Sequence, residues 1–189
     1  NYAAAHSGRG SALNHLTLNV EARQAAERAV ELDPTSALFR VRLGRLHLRN
    51  WRLDLADECF SQVLHQNPTH PEAITGRAAV RERRGEIQAA EQALKPIIGH
   101  GNYAPNAAVL QAKILTKQGH PDQAVRLLQP LLERSLQTSA SSLIHHALAS
   151  AYDKLDDVDQ AFAHLKNAND LRGLCFSPSR AQASVRAMI

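Results

Sequence analysis

The chain of 189 residues has little cysteine, few aromatic residues and no long apolar run. Its two cysteines, Cys59 and Cys175, have neither the spacing of a zinc site nor that of a redox pair, so a reducing cytoplasm is the expected location. No stretch of about 18 apolar residues predicts a membrane span. The first residues contain no basic region followed by an apolar run, so no secretory signal is expected.

The sequence also lacks the motifs of common enzymes. It has no G-x-x-x-x-G-K-[ST] phosphate loop, no G-x-G-x-x-G, no H-E-x-x-H and no G-x-S-x-G. His145 and His146 are adjacent and would point about 100° apart on a helix, although His164 on the following helix could approach one of them. We therefore expect no catalytic residue, no cofactor and no metal site, and predict that this chain is not an enzyme.

The charge balance favours neither a membrane surface nor a nucleic acid as the partner. The net charge is +4 and the isoelectric point is about 9.4, which is only mildly basic. Nucleic-acid binding usually adds stacking aromatic residues beside the positive charge. The aromatic residues here fall mainly at positions expected to pack helices, so a protein or peptide partner is favoured.

Alanine recurs every 34 residues at Ala22, Ala56, Ala90 and Ala124, and Ala161 follows after a slip of three residues. A small side chain at a fixed period is expected where paired helices approach closely. A period of 34 is typical of tetratricopeptide repeats, and residues 37–70 resemble that family's pattern further. The matching positions are Leu43, Gly44, Ala56, Phe60 and Pro68, whereas Arg40 and His47 replace the family's Trp and Tyr.

The resemblance implies an all-α fold, namely a right-handed superhelical solenoid of about five helix-turn-helix repeats plus a C-terminal capping helix. The units are predicted at about residues 3–36, 37–70, 71–104, 105–138 and 142–173. Pro96 and Pro130 should lie inside second helices and adjust their curvature. Residues 174–189 are predicted to form a linker and the capping helix, which starts at Ser177-Pro178, with a further domain after it left open.

The predicted binding surface consists of cations on the first helix of each pair, which lines the concave surface in this architecture. Near the ends of these helices stand His15, Arg49, Arg83, Lys117 and Lys154. Arg45 and Lys113 share that face four residues earlier. We predict a partner-binding ridge for an acidic peptide or phosphate-rich partner, formed by Arg45, Arg49, Arg83, Lys113 and Lys117. The alternative is a structural preference for cations at helix C-termini.

Apolar residues of the second unit are expected to add to this ridge. Leu38, Val41 and Leu48 should form an exposed patch that anchors an apolar side chain of the partner. Trp51 lies in a turn where the repeat pattern expects glycine. We expect it to be a hydrophobic plug between repeats, with a binding hot spot as the alternative.

A second resemblance concerns residues 158–172, V-D-Q-A-F-A-H-L-K-N-A-N-D-L-R. This stretch resembles the last repeat of bacterial proteins that join tetratricopeptide repeats to a sulfotransferase domain, and Cys175 to Ile189 is similar to the linker and helix that follow there. The resemblance implies a repeat region whose enzyme domain would lie beyond residue 189, because the family's phosphosulfate loop does not occur in this chain. A chaperone-tail clamp is not expected, since Val41 and Arg45 stand at two of its inner positions.

These patterns together predict a non-catalytic scaffold that binds proteins or peptides. Two alternatives stay open at this point. One is part of a sulfotransferase whose active site lies beyond residue 189, and the other is a self-association module that forms a homo-oligomer.

Overall fold

The computed structural model describes residues 2–15, 19–98, 104–134 and 137–173. In this part of the chain all regular structure is helical, and ten helices follow one another in short-turn pairs. The helices are α1 (Tyr2–His15), α2 (Asn19–Leu32), α3 (Ala37–Arg49), α4 (Leu53–Gln66), α5 (Pro71–Arg83), α6 (Ile87–Ile98), α7 (Pro105–Lys117), α8 (Pro121–Leu132), α9 (Thr138–Lys154) and α10 (Val158–Leu171). The predicted all-α fold of helix pairs is confirmed, whereas the predicted capping helix falls in residues 174–189, outside the described residues.

The chain divides into two compact units, Asn1–Ala107 and Ala108–Ile189. In the first unit α1 packs on α2, α3 on α4 and α5 on α6, while α2 also contacts α3, and α5 also contacts α3 and α4. In the second unit α9 packs against both α8 and α10. Each pair therefore contacts mainly its neighbours, as expected of a repeat array.

The periodic alanines are buried, as expected for positions between paired helices. Ala22, Ala56, Ala90 and Ala124 are fully buried, and Ala161 is nearly so. One turn further along α4, the fully buried Phe60 inserts its ring between two glycines, and a β-carbon added at Gly76 on α5 would overlap that ring. Small residues thus let one helix pair receive the large side chain of another.

The turn inside a pair requires one residue with a left-handed backbone. Trp51, Gly85, Gly119 and Asp156 occupy this position at spacings of 34, 34 and 37 residues, with φ between 58° and 85°. The turns between pairs are instead stabilised by hydrogen bonds between side chains two residues apart. The hydroxyl of Thr35 donates to Asp33 Oδ1 at 2.8 Å, and that of Thr69 donates to Asn67 Oδ1 at 3.0 Å. Both turns share the order of a polar residue, proline and threonine, at Asp33-Pro34-Thr35 and Asn67-Pro68-Thr69.

The slip of three residues before Ala161 is absorbed mainly by α9. This helix has 17 residues, whereas α3, α5 and α7 have 13 each. It begins at Thr138, earlier than the predicted start of the fifth unit at residue 142, because no helix-breaking residue separates Thr138 from Ser142. Pro96 and Pro130 lie inside α6 and α8, as predicted.

Two glycine-to-alanine substitutions should change stability in opposite directions. Gly8 is exposed on α1 with no neighbouring atom near an added β-carbon, so Gly8→Ala should raise the free energy of unfolding by about 0.5–1 kcal/mol. Gly76→Ala should lower it by about 1–3 kcal/mol, because the buried Phe60 ring must shift. Urea unfolding of both variants measures this. Equal stabilisation by both would contradict the packing at Phe60.

Candidate functional site

The cations predicted in the first unit lie on two helices that contact each other, α3 and α5. Arg45 and Arg49 are exposed and stand one turn apart on α3. Arg45 Nη2 is 3.5 Å from Glu72 Oε1 on α5, and both side chains are well exposed, so this ion pair contributes little to stability. Arg83 ends α5 and is half-buried.

Arg83 is anchored to the preceding helix pair. Its guanidinium donates a hydrogen bond from Nη1 to the carbonyl oxygen of Leu48, in the last turn of α3. The last carbonyls of a helix have no partner within the helix and carry its negative partial charge, so a cation there is favourable. The adjacent Arg84 places Nη2 2.6 Å from Asp54 Oδ1 on α4. Arg83 therefore has a structural role in addition to its predicted binding role.

Trp51 lies beside Arg83 and is largely exposed to solvent. Its side chain is 69% exposed, and the guanidinium carbon of Arg83 lies 5.0 Å from the ring centroid. The prediction that Trp51 is a hydrophobic plug between repeats is therefore wrong. Its left-handed backbone, with φ of 58°, holds it at the turn between α3 and α4, where the ring remains in solvent. We call these two residues the Trp51–Arg83 platform.

The backbone at Trp51 is poorly suited to a bulky residue. Glycine occupies the equivalent turn position at Gly85 and Gly119 and adopts left-handed φ values freely. For a residue with a β-carbon, this backbone conformation costs about 1–2 kcal/mol of conformational free energy. A cation–π contact at the surface stabilises the fold by only about 0.5–1 kcal/mol. Fold stability therefore does not account for Trp51. The sequence did carry a signal, namely a tryptophan standing where the period places glycine.

The expected apolar patch of Leu38, Val41 and Leu48 is only partly at the surface. Leu38 is exposed and Leu48 is half-buried, but Val41 is fully buried. Val41 packs in a core cluster with Phe60 of α4 and Val80 of α5. The prediction is wrong for Val41, because α3 turns that side chain towards the helices it packs against. Leu38 and Leu48 are the residues that could contact a partner.

The second unit contains the other two cations of the predicted ridge. Lys113 and Lys117 are exposed and lie four residues apart on α7, and Lys154 is exposed at the end of α9. The side chain of His15 lies outside the described residues. The surface position of these lysines suits a binding role, and a ridge that includes them stays a prediction.

Two histidines meet on the last helix pair. His145 Nδ1 on α9 lies 2.8 Å from His164 Nδ1 on α10, and the Tyr152 ring stacks on His164 with centroids 5.4 Å apart. The predicted approach of His164 to one of the adjacent histidines is thus confirmed. Burial lowers the pKa of both His145 and His164, and the neighbouring His164 lowers that of His145 further. One ring must donate and the other accept, so at least one is neutral.

Within the described ranges, no group of three or more His, Cys, Asp or Glu side chains could hold a metal ion. Cys59 is also a poor nucleophile, since burial raises the pKa of its thiol to about 11 and keeps it protonated near neutral pH. No helix of the described part of the chain is both long and apolar enough to cross a membrane. The Trp51–Arg83 platform combines an exposed aromatic ring with a guanidinium and lies near further exposed arginines.

Known proteins resemble this chain in its repeats and its fold. Residues 41–105 match the family model of the tetratricopeptide repeat. A thermophilic tetratricopeptide repeat protein of Thermus thermophilus is 19% identical, covers 97% of this chain and 96% of its own, and superposes with a TM-score of 0.77. A tetratricopeptide repeat protein of Parabacteroides merdae is 18% identical, and the match covers 90% of this chain and 70% of that protein with a TM-score of 0.64.

A further structural match is the APC/C hetero-tetramer Cut9–Hcn1, with 17% identity and a TM-score of 0.77 over 89% of this chain and 33% of the matched chain. No curated protein sequence matches the chain significantly. At these identities the structural likeness establishes the fold alone, which is that of an all-α tetratricopeptide solenoid.

Fluorescence quenching should report the charge around Trp51, which is the chain's single tryptophan. Because Arg83 and the exposed Arg49 and Arg52 are close to it in sequence or space, iodide should quench its emission more strongly than caesium at equal ionic strength. Arg49→Glu should reduce this difference, whereas the exposed Lys95→Glu on α6 serves as the charge-matched control. Equal quenching by both ions would contradict a positive surface at Trp51.

The histidine pair should make the fold less stable at acid pH than at neutral pH. The pKa values of His145 and His164 are lowered in the folded state. Their contribution to the free energy of unfolding is therefore complete above the pKa of histidine in the unfolded chain, about 6.5, and is lost as the pH falls below that value. Thermal melting between about pH 7.5 and about pH 5 measures this. His164→Phe should flatten the profile, and the exposed His65→Gln should not. Parallel profiles for the wild type and His164→Phe would contradict it.

Proposed function

We propose, on the basis of the tetratricopeptide repeats at residues 41–105 and the repeat fold of the described helices, that this chain is a non-catalytic scaffold that binds an acidic segment of a partner protein. The binding surface in the first unit consists of the Trp51–Arg83 platform together with Arg45 and Arg49. The exposed Trp51, held in a strained turn, is the observation that carries the proposal.

The geometry of Trp51 suits a binding role better than a packing role. A tryptophan that costs backbone energy and lies 69% exposed contributes little to the core. In protein interfaces, tryptophan and arginine are the residues whose loss most often weakens binding. Arg83 fixes the ring by stacking on it, while its own hydrogen bond to the Leu48 carbonyl fixes the guanidinium. The platform is therefore preorganised, which reduces the entropy lost when a partner binds.

The charge around the platform indicates the chemistry of the partner. Arg45 and Arg49 on α3 and Arg52 just before α4 are exposed, and Arg83 contacts both the Leu48 carbonyl of α3 and the Trp51 ring. Glu72 and Asp54 neutralise part of this charge through Arg45 and Arg84. The predominance of arginine at this surface supports an acidic segment with at least one apolar side chain, for which Trp51, Leu38 and Leu48 offer apolar contact.

We include Lys113 and Lys117 in the same proposal as a second cationic site, on α7 of the second unit. A partner segment long enough to reach both units would gain affinity from two linked contacts. The Cut9–Hcn1 structure is a hetero-tetramer, so a protein with this fold takes part in an assembly there. That supports a protein partner in general terms and leaves its identity open. A cytoplasmic location and a bacterial source also stay predictions.

A second candidate function rests on residues 158–172, which span the last described helix, α10. Their resemblance to the final repeat of sulfotransferase-linked proteins supports a repeat region that positions a substrate for such a domain. The coding sequence beyond residue 189 tests this directly. A phosphosulfate loop there, with sulfuryl transfer by the longer protein, would favour this candidate, and a different continuation would end it.

Selection from a random library of displayed peptides of about 12 residues tests the main proposal. We expect selected peptides to be enriched in Asp and Glu around an apolar residue. Their binding, followed by Trp51 fluorescence, should weaken at least about tenfold with added salt or in Arg49→Glu, which corresponds to about 1.4 kcal/mol. The Lys95→Glu control should bind like the wild type. A basic or neutral consensus would overturn the proposal.

Trp51→Gly provides a sharper variant, because it removes the side chain and also relieves the left-handed backbone. We expect a melting temperature equal to or above that of the wild type, together with the loss of peptide binding, measured by anisotropy of a labelled selected peptide. Binding that survives Trp51→Gly would place the binding surface elsewhere on the array.

A further inference from the structure

The turn between α9 and α10 concentrates negative charge on a chain that is basic as a whole. In residues 153–159, four aspartates against one lysine give a formal charge of −3, whereas the whole chain carries +4. Every side chain of this segment is exposed. We call it the acidic turn, and its aspartates are Asp153, Asp156, Asp157 and Asp159. A local charge opposite in sign to the rest of the molecule favours contact with a basic surface.

Apolar side chains stand among these aspartates. Leu155 and Val158 are 42% and 72% exposed and lie on either side of the central aspartate pair. An acidic segment that contains an apolar residue is the partner proposed above for the Trp51–Arg83 platform, so the present inference rests on that proposed function. The chain itself therefore carries a segment with the chemistry of its own ligand.

The backbone of the acidic turn is fixed by local hydrogen bonds. Asp156 has a left-handed φ of 58°, as Trp51 has in the corresponding turn between α3 and α4. The backbone N–H of Asp157 donates to the carbonyl oxygen of Tyr152 at 3.0 Å, and Asp157 Oδ1 accepts from the backbone N–H of Gln160 at 3.2 Å. A segment that is already ordered loses less entropy on binding than a flexible peptide does.

The surface that complements the acidic turn lies in the first unit. Arg49 and Arg52 stand on either side of Trp51 in the chain, all three side chains are exposed, and Arg83 stacks on the ring. Guanidinium groups can bind carboxylates through two parallel hydrogen bonds, and an indole ring offers a broad apolar surface. The two surfaces are therefore complementary both in charge and in apolar character.

We propose that the acidic turn of one copy binds the Trp51–Arg83 platform of a second copy, with its aspartates facing Arg49 and Arg52 and Val158 against the indole. The occupant is a second copy because every molecule carries both surfaces. Since the two surfaces differ, the contact is either exchanged twice within a closed dimer or continued into longer assemblies. The mass measured in solution distinguishes these two forms.

Light scattering over a range of protein concentrations tests the association. We expect added salt, Arg52→Glu or Asp153→Arg each to weaken it at least about tenfold. Arg52 precedes the N-terminus of α4 and Asp153 lies in the last turn of α9, so both charge reversals suit the helix dipole and should leave the fold intact. The exposed Lys95→Glu and Glu133→Arg change the net charge equally and should associate like the wild type.

A mixture of two variants identifies which surfaces meet. Asp153→Arg keeps the single tryptophan, whereas Trp51→Gly has none and keeps the acidic turn. Adding Trp51→Gly to Asp153→Arg should change the Trp51 emission to saturation, because only the platform of the first variant is observed. The double variant Trp51→Gly/Asp153→Arg should bind at least about tenfold more weakly, which corresponds to about 1.4 kcal/mol.

A wild type that stays monomeric up to about 1 mM, or a mixture with unchanged Trp51 emission, would overturn the inference. So would an association that Arg52→Glu leaves unchanged. Selected acidic peptides that still bind the wild type would then show that only the second copy is wrong as the partner. If those peptides also fail to bind, the proposed function fails with it.

Discussion

The insertion of one large side chain between small residues of neighbouring helices is the interaction on which the rest of the described structure depends. Phe60 lies against Gly44 of its own pair and Gly76 of the next. Leu94 and Leu128 stand at the equivalent positions of the following pairs and are also fully buried. The alanine one turn before each of these residues lets the paired helices approach closely. Because the Phe60 ring links its pair to the next one, it illustrates how stability in a repeat array comes mainly from contacts between neighbours.

The same arrangement explains why surface residues of the first helices are available for binding. Core packing uses positions such as Val41 and Val80, and leaves Arg45 and Arg49 on the outside of α3. Arg83 serves both purposes, since it binds the last turn of α3 and stacks on Trp51. A residue with two roles couples the binding surface to the contact between repeats, so a change there affects stability as well as affinity.

The left-handed turn inside each pair links local backbone geometry to function. Gly85 and Gly119 meet its requirement at no steric cost, whereas Trp51 meets it with strain. The turn holds the indole in solvent beside the C-terminus of α5.

The sequence by itself determined the helix pairs, their period, the buried alanines and the polar turns, because these depend on local propensity and on a spacing that repeats. It also placed Arg45, Arg49, Lys113 and Lys117 correctly at the surface. Only the tertiary structure decided that Val41 is core and that Trp51 is exposed, because both depend on how a helix is rotated against its neighbours and on one backbone angle. The stacking of Arg83 on Trp51 and the meeting of His145 with His164 join residues 32 and 19 positions apart, and such contacts arise only when the helices pack.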